Sequence, residues 1–247
     1  MKVVDRAVGP IRDRLAFFPD AEELRRLAEG TAPLGIVRVR QTTADPGGLP
    51  NLVSTGVFRT ACVRLVADDD ELLAGMRKDT RREIRIAQAM EDLELSCDRA
   101  PDHAAFLELY GRFARAKGHT KPMTERRLRA YERIADVWVA RLGGEPVVVR
   151  MMMADPAADR VRFLYEGTAR LDGTDHSRVT APIGRWMHWR QMCAYAAKGI
   201  GSYDLGGIGD GSGPVAKFKL SLGGEPLQDR SCVFAGLPMR PFARRLP

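Results

Sequence analysis

The sequence predicts an α/β or α+β chain in which helices pack on a mixed sheet, and three observations carry that prediction. The stretch "DVWVARLGGEPVVVRMMMADPAADRVRFLYEGTA" alternates or is fully apolar and is broken by Gly143-Gly144 and Pro156, which reads as three successive strands. Segments of helical period stand on both sides of it. The 247 residues, 45% hydrophobic and 29% charged, suit a soluble globular protein with a substantial core, as one large domain or two small ones.

Taken in order, "DAEELRRLAEG" reads as a helix with Asp20 as N-cap and Gly30 as stop. The Pro/Gly-rich "TADPGGLPNLVSTG" follows, so residues 1–58 read as an appendage or a reduced first lobe ahead of a main domain over 59–247. "FRTACVRLV" alternates like a strand. "DDDELLAGMRKDTRREIRIAQAME" reads as one helix opened by acidic residues, with Leu73, Met76, Thr80, Ile84 and Ala87 on a common stripe. Two helices, "PDHAAFLELYGRFARAKG" and "MTERRLRAYERIA", flank "HTKP" and lead into the three strands. "PIGRWMHWRQMCAYAAKG" forms a helix with Pro182 near its start and Gly199 near its end, feeding a strand over 202–205.

Charge is distributed unevenly. The net charge is +7 with a pI near 9.5, and Arg77, Lys78, Arg81, Arg82 and Arg85 crowd the side opposite the apolar stripe of their helix, against only Asp79 and Glu83. Such a face is either an electrostatic footprint for a polyanion or an ordinary solvated surface.

Several classes are excluded. No apolar run approaches the roughly 20 residues of a membrane span, and "MKVVDRAVGPIRDRL" lacks a signal-peptide core, so no integral membrane association and a cytoplasmic location are expected. Cys62, Cys97, Cys193 and Cys232 are scattered, without a C-x-x-C pair or a histidine at ligand spacing, which argues for reduced cysteines and no metal site. "YDLGGIGDGSGPVAKFKLSLGGEP" is not a phosphate loop, because Lys217 follows Ala216 and Lys219 follows Phe218. Nor is it a dinucleotide fingerprint, since Ser212 stands where a third glycine is required. Its glycines mark tight turns or a mobile loop. No G-x-S-x-G elbow occurs.

The order of "RKDTRREIRIAQ", "RAKG", "VARLGGEPVVVRMMM", "RFLYEGTA", "WMHWRQMCAYAAKG", "YDLGGI" and "FKLSLGGEP" resembles the Fem family of non-ribosomal peptidyltransferases, over about residues 60–226. The paired "YDLGG … FK … GGE" block is its most specific part. The resemblance implies the GNAT acyltransferase fold, a mixed and mostly antiparallel sheet flanked by helices. It also implies amide formation, in which an amine attacks an aminoacyl ester carried on tRNA, with no cofactor beyond that co-substrate. Residues 1–58 are too short for the complete first lobe of cell-wall Fem enzymes, and no coiled-coil arm is visible, which favours a smaller amine over a large envelope precursor as acceptor.

An ester already carries its activation, so such an enzyme has mainly to align the reactants and stabilise an oxyanion. Lys219 matches the family lysine placed for that charge, and Phe218 the aromatic beside it; otherwise they are a surface lysine and a core phenylalanine. By the same resemblance Tyr165 and Glu166 end a strand near the reaction cleft. Glu166 would take the ammonium proton, Tyr165 would donate to an oxyanion or ribose, and strand alternation lets only one of them point inward. Arg77, Lys78, Arg81, Arg82 and Arg85 would meet the donor's phosphates. Asp204, Gly206 and Gly207 line the donor side, with Asp204 also suited to bonding loop N–H groups. His176, in a polar loop, and His188, in a helix between two tryptophans, rank lower. The rival donor is an acyl-coenzyme A, but "RVTAPIGRW" lacks the glycines of a pyrophosphate-binding helix start, with Ala181 and Ile183 at those positions. A third reading is a GNAT-like scaffold that binds RNA without catalysis.

Overall fold

The computed structural model describes residues 1–119, 123–171 and 175–244. By its internal contacts the chain divides into two units, Met1–Thr60 with Pro226–Pro247, and Ala61–Glu225. In chain order the elements are β1 (Lys2–Val8), β2 (Ile11–Phe17), α1 (Ala21–Glu29), β3 (Gly35–Thr42), β4 (Leu52–Arg64), α2 (Asp69–Ala74), α3 (Lys78–Gln88), β5 (Leu93–Cys97) and α4 (Ala100–Ala116). There follow α5 (Glu125–Tyr131), β6 (Asp136–Leu142), β7 (Glu145–Asp155), β8 (Arg160–Thr168), α6 (Thr180–Ala197), β9 (Ser202–Gly207), α7 (Pro214–Ser221), β10 (Glu225–Ala235) and α8 (Arg240–Ala243). Of the "HTKP" segment only His119 lies within the described residues.

In the first unit the strand order is β1-β2-β3-β10-β4. β2 and β3 run parallel, joined by α1, while β1 and β10 join as antiparallel neighbours. The helix is fixed at its start by a capping box: Glu23 N–H donates to Asp20 Oδ1 at 2.8 Å, and Asp20 N–H donates to Glu23 Oε2 at 3.1 Å. Leu24, Leu27 and Ala28 then press on Val37 and Val39 of β3 and Cys232 and Phe234 of β10. Residues 1–58 thus hold strands as well as the expected helix, and Leu52–Gly56, within the Pro/Gly-rich stretch, is already part of β4.

In the second unit the strand order is β4-β9-β8-β7-β6-β5, with β5–β6, β6–β7 and β7–β8 antiparallel and β8 parallel to β9. Val147 to Met153 of β7 are all buried, as expected of a strand covered on both faces. In place of one long helix over 68–91 there are two, α2 and α3. The break falls at Gly75, the C-cap of α2, and at Arg77, whose N–H donates to Ser221 O at 3.0 Å. Leu72, rather than Leu73, is the buried residue of α2, and Met76, Thr80, Ile84 and Ala87 keep their inward stripe.

Two irregularities of β8 position the site. Met151 pairs with Tyr165 but Met152 with Phe163, so Leu164 is the extra residue of a β-bulge. The pairing of β8 with β9 runs only from Arg160–Ser202 to Arg162–Asp204.

Candidate active site

The pairing of β8 with β9 ends at a junction formed by Phe163 to Glu166 on one strand and Leu205 to Gly207 on the other. Lys219 reaches it from α7, and its Nζ donates to Gly207 O at 2.8 Å. The strand end turns at Gly206, with φ of 80°, a backbone region open to glycine. A Cβ there would stand 3.4 Å from Lys219 Nζ and 3.5 Å from the Phe163 ring, so the absent side chain leaves the ammonium its place. Burial, reinforced by Arg162, brings the Lys219 ammonium down to about 8, against the pull of Asp204 and Glu166.

The bulge at Leu164 resets the alternation of β8. Phe163 and Glu166 both face α6: the Phe163 ring lies 6.0 Å from His188, and Glu166 pairs with Arg150, a partner that also bonds Gln191 of α6. Tyr165 points to the other face, where it accepts from Arg127 Nη2 at 2.8 Å and lies 3.3 Å from the Tyr131 hydroxyl. Of the two neighbours, Glu166 is the one whose charge acts on Lys219, and Tyr165 is held among α4 and α5.

Glu166 is fixed by a residue that the site motifs do not include. Arg150, fully buried in the middle of an apolar strand, donates from Nε to Glu166 Oε2 at 3.0 Å and forms a second bond to the same oxygen from Nη2. Its Nη1 donates to Gln191 Oε1 at 2.7 Å and its Nη2 to Gly184 O at 3.3 Å. A buried guanidinium requires such satisfaction. Its signal in the sequence is the single charge within "VVVRMMM". The network continues through the Tyr203 hydroxyl, 2.8 Å from Gln191 Oε1, to Nδ1 of His188 at 3.0 Å. Gly184, His188 and Gln191 recur at helical spacing on α6, which is why one face of that helix serves the whole network. Burial, with the charges of Arg150, Lys219 and Arg185, holds His188 well below the usual imidazole range.

Phe218 lies 5.9 Å from the His188 ring and 5.0 Å beneath the Arg185 guanidinium, which in turn pairs with Glu83 of α3 at 2.7 Å. Asp204 is fully buried: it accepts from Arg160 Nη2 at 2.7 Å and from Gly206 N–H at 2.7 Å, the loop-bonding geometry of its motif. Gly207 meets the site through its carbonyl. His176 falls in a single turn of 3-10 helix over Asp175–Arg178.

The basic helix divides by role. Lys78, Arg82 and Arg85 are exposed on one face of α3 and Arg77 is exposed at its N-cap. Arg81 instead folds back, donating from Nη1 to Ala74 O at 3.1 Å and to Met76 O, where it satisfies carbonyls at the end of α2. Elsewhere, Cys97, Asp98 and Asp136 bring ligand-type atoms within 4.8 Å of one another, a grouping that residue spacing did not reveal. Burial and the two carboxylates push the Cys97 thiol up to about 12, while Asp98 and Asp136 accept from Val137 N–H and Tyr195 Oη. Among the described residues no helix is long and apolar enough to cross a membrane.

Residues 74–219 match the sequence model of a family described as acetyltransferase (GNAT) domain. No curated protein matches. Among solved structures, FemX shares 12% identity and superposes with a TM-score of 0.65, over 98% of this chain and 86% of that one. The C-terminal domain of a putative lysylphosphatidylglycerol synthetase from Agrobacterium fabrum shares 13% identity with a TM-score of 0.54, over 97% and 82% of the two chains. L-PGS from Bacillus licheniformis shares 12% identity with a TM-score of 0.54, over 97% and 83%. At these identities the likeness shows a common fold.

Proposed function

Because the chain belongs to the acetyltransferase (GNAT) domain family and is an acyltransferase, we propose that it forms an amide by moving an aminoacyl group from aminoacyl-tRNA to the amine of a small molecule or cell-envelope precursor. The observation that carries this reading is Lys219, a part-buried ammonium delivered by α7 to the junction of β8 and β9.

In the reaction the amine nitrogen attacks the ester carbonyl carbon, a C–N bond forms, and the carbonyl oxygen becomes an oxyanion. Lys219 stabilises that charge; one well-placed donor contributes about 3–4 kcal/mol to such a step. The nitrogen's proton passes to Glu166, whose Oε2 is held by Arg150 and whose Oε1 has no protein partner among the described residues. The C–O bond then breaks as the oxyanion collapses, and Glu166 returns that proton to the departing ribose oxygen. Arg77, Lys78, Arg82 and Arg85 supply an exposed one-signed surface for a polyphosphate donor. The fold is consonant, being shared with FemX and with the C-terminal domain of a putative lysylphosphatidylglycerol synthetase.

The test is product identification. Purified protein, a mixture of charged tRNAs and a pool of small amines are expected to yield an amide detectable by mass spectrometry, dependent on both the protein and the charged state of the tRNA. Acylation of the same amines from acetyl-coenzyme A alone would replace this reading with its rival.

A further inference from the structure

The hydrogen bonds behind Glu166 run in one direction. An arginine side chain only donates, so the Gln191 amide that meets Arg150 Nη1 at 2.7 Å presents its oxygen there. The same oxygen lies 2.8 Å from the Tyr203 hydroxyl. Two oxygens at that distance need a proton between them, and only the phenol carries one. Tyr203 has then used its single proton, so its 3.0 Å contact with His188 is made by a hydrogen on Nδ1.

An imidazole with its hydrogen on Nδ1 keeps a lone pair on Nε2 unless it is doubly protonated, and the surroundings oppose a second proton. The charged groups facing the ring are Arg150 of β7, Arg185 of α6 and Lys219 of α7, and the carboxylate of Glu166 is already paired with Arg150. Phe163 of β8, Tyr203 of β9 and Phe218 of α7 complete the enclosure. No described residue bonds to Nε2. Gln191 Nε2 is buried without a partner, so the helix accepts an unsatisfied donor to keep the amide oxygen where it is.

We infer that the Nε2 lone pair of His188 receives an N–H of the acceptor amine and holds the nucleophile beside Lys219, with Arg150, Gln191 and Tyr203 as positioning residues that set its tautomer. A neutral acceptor flanked by three cations, beside a carboxylate whose charge Arg150 already offsets, suits an uncharged N–H donor and repels an ammonium, so the ligand class is a free amine base. The inference rests on the acyl-transfer reading, but its test requires no turnover.

The protein has four histidines, and labelling them with 15N, with His188→Gln to assign the resonance, reads the tautomer directly. Wild type is expected to show hydrogen on Nδ1 and a lone pair on Nε2. Gln191→Glu, which still only accepts, retains that signature. Gln191→Leu frees the Tyr203 proton for Nδ1 and moves the histidine hydrogen to Nε2; should that variant not fold, Tyr203→Phe removes the fixed acceptor and spreads the signal between tautomers. A wild-type His188 protonated on Nε2, or on both nitrogens, overturns the proposal whatever the variants show. Titration with trifluoroethylamine, an amine weakly basic enough to be uncharged at neutral pH, is then expected to shift the Nε2 resonance of wild type and not that of Gln191→Leu or Tyr203→Phe to the same extent. An equal shift in wild type and variant overturns the amine-binding role. Because no arm depends on a donor, a failed donor screen and a failed tautomer are separate results.

Discussion

Lys219 Nζ and the carbonyl oxygen of Gly207, 2.8 Å apart, tie helix α7 to the end of strand β9, past the point where its pairing with β8 ends. The bond aims a part-buried ammonium without neutralising it. Lys219→Ala is therefore expected to lower kcat by about 10²-fold or more while KM for the donor and the thermal midpoint stay close to wild type, because the interaction is made mainly in the transition state. Loss of donor binding with normal turnover at saturation would make Lys219 a phosphate or ribose anchor instead.

The same lysine sets a pH limit. Its ammonium, brought down to about 8 by burial, is charged below that value and neutral above it, so kcat is expected to fall as pH rises through about 8. In Lys219→Arg the guanidinium stays charged, and the low but measurable kcat should lack that descending limb. A limb retained unchanged in the arginine variant would assign it to another group.

Arg150 and Glu166 make an asymmetric stability prediction. Arg150 is fully buried and the Glu166 side chain is 27% exposed. Glu166→Leu strands a buried guanidinium and should cost about 2–4 kcal/mol in denaturant unfolding, somewhat under the full penalty for a wholly buried pair. Adding Arg150→Met should recover most of that loss. Additive losses in the double variant would contradict the pairing.

On the basic helix, Arg82→Glu with Arg85→Glu should raise KM for charged tRNA and flatten its salt dependence, because fewer counterions are released on binding. Arg81→Glu should instead lower stability, since Arg81 serves the carbonyls of Ala74 and Met76. An unchanged salt slope in the double variant would leave that face to plain solvation.

Packing of α4 on β8 passes through Gly167, where a Cβ would stand 2.7 Å from Tyr110 Cα and 2.9 Å from its nitrogen. Backbone cannot give way as a flexible side chain does. Gly167→Ala is expected to lose about 1–3 kcal/mol, read as a lowered denaturant midpoint.

Elements with a strong local signature were legible in the sequence. The N-cap at Asp20, the turn at Gly143-Gly144 and the long helix ending at Gly199 each declare themselves within a few residues. The strands of the first unit did not, because the edge strand β1, "KVVDRAV", and its neighbour β2, "IRDRLAF", mix charge into alternate positions, and β10 is defined only by partners distant in the chain. The single helix expected over 68–91 failed at Gly75 for a similar reason: Arg77 bonds to Ser221, a long-range contact that no helical period reports. At the site, Lys219, Phe218 and Glu166 were visible through motif context. The bulge at Leu164, which decides that Glu166 and not Tyr165 faces α6, is a matter of strand register and has no local code.

The most direct test of aminoacyl transfer from tRNA is a donor competition with purified protein: charged tRNA and acetyl-coenzyme A supplied together with an amine pool, following loss of the aminoacyl ester and release of free thiol in the same reaction. The expected result is amine-dependent loss of the ester, abolished or reduced about 10²-fold in Lys219→Ala, with no thiol released. Thiol release with the aminoacyl ester left intact would contradict it.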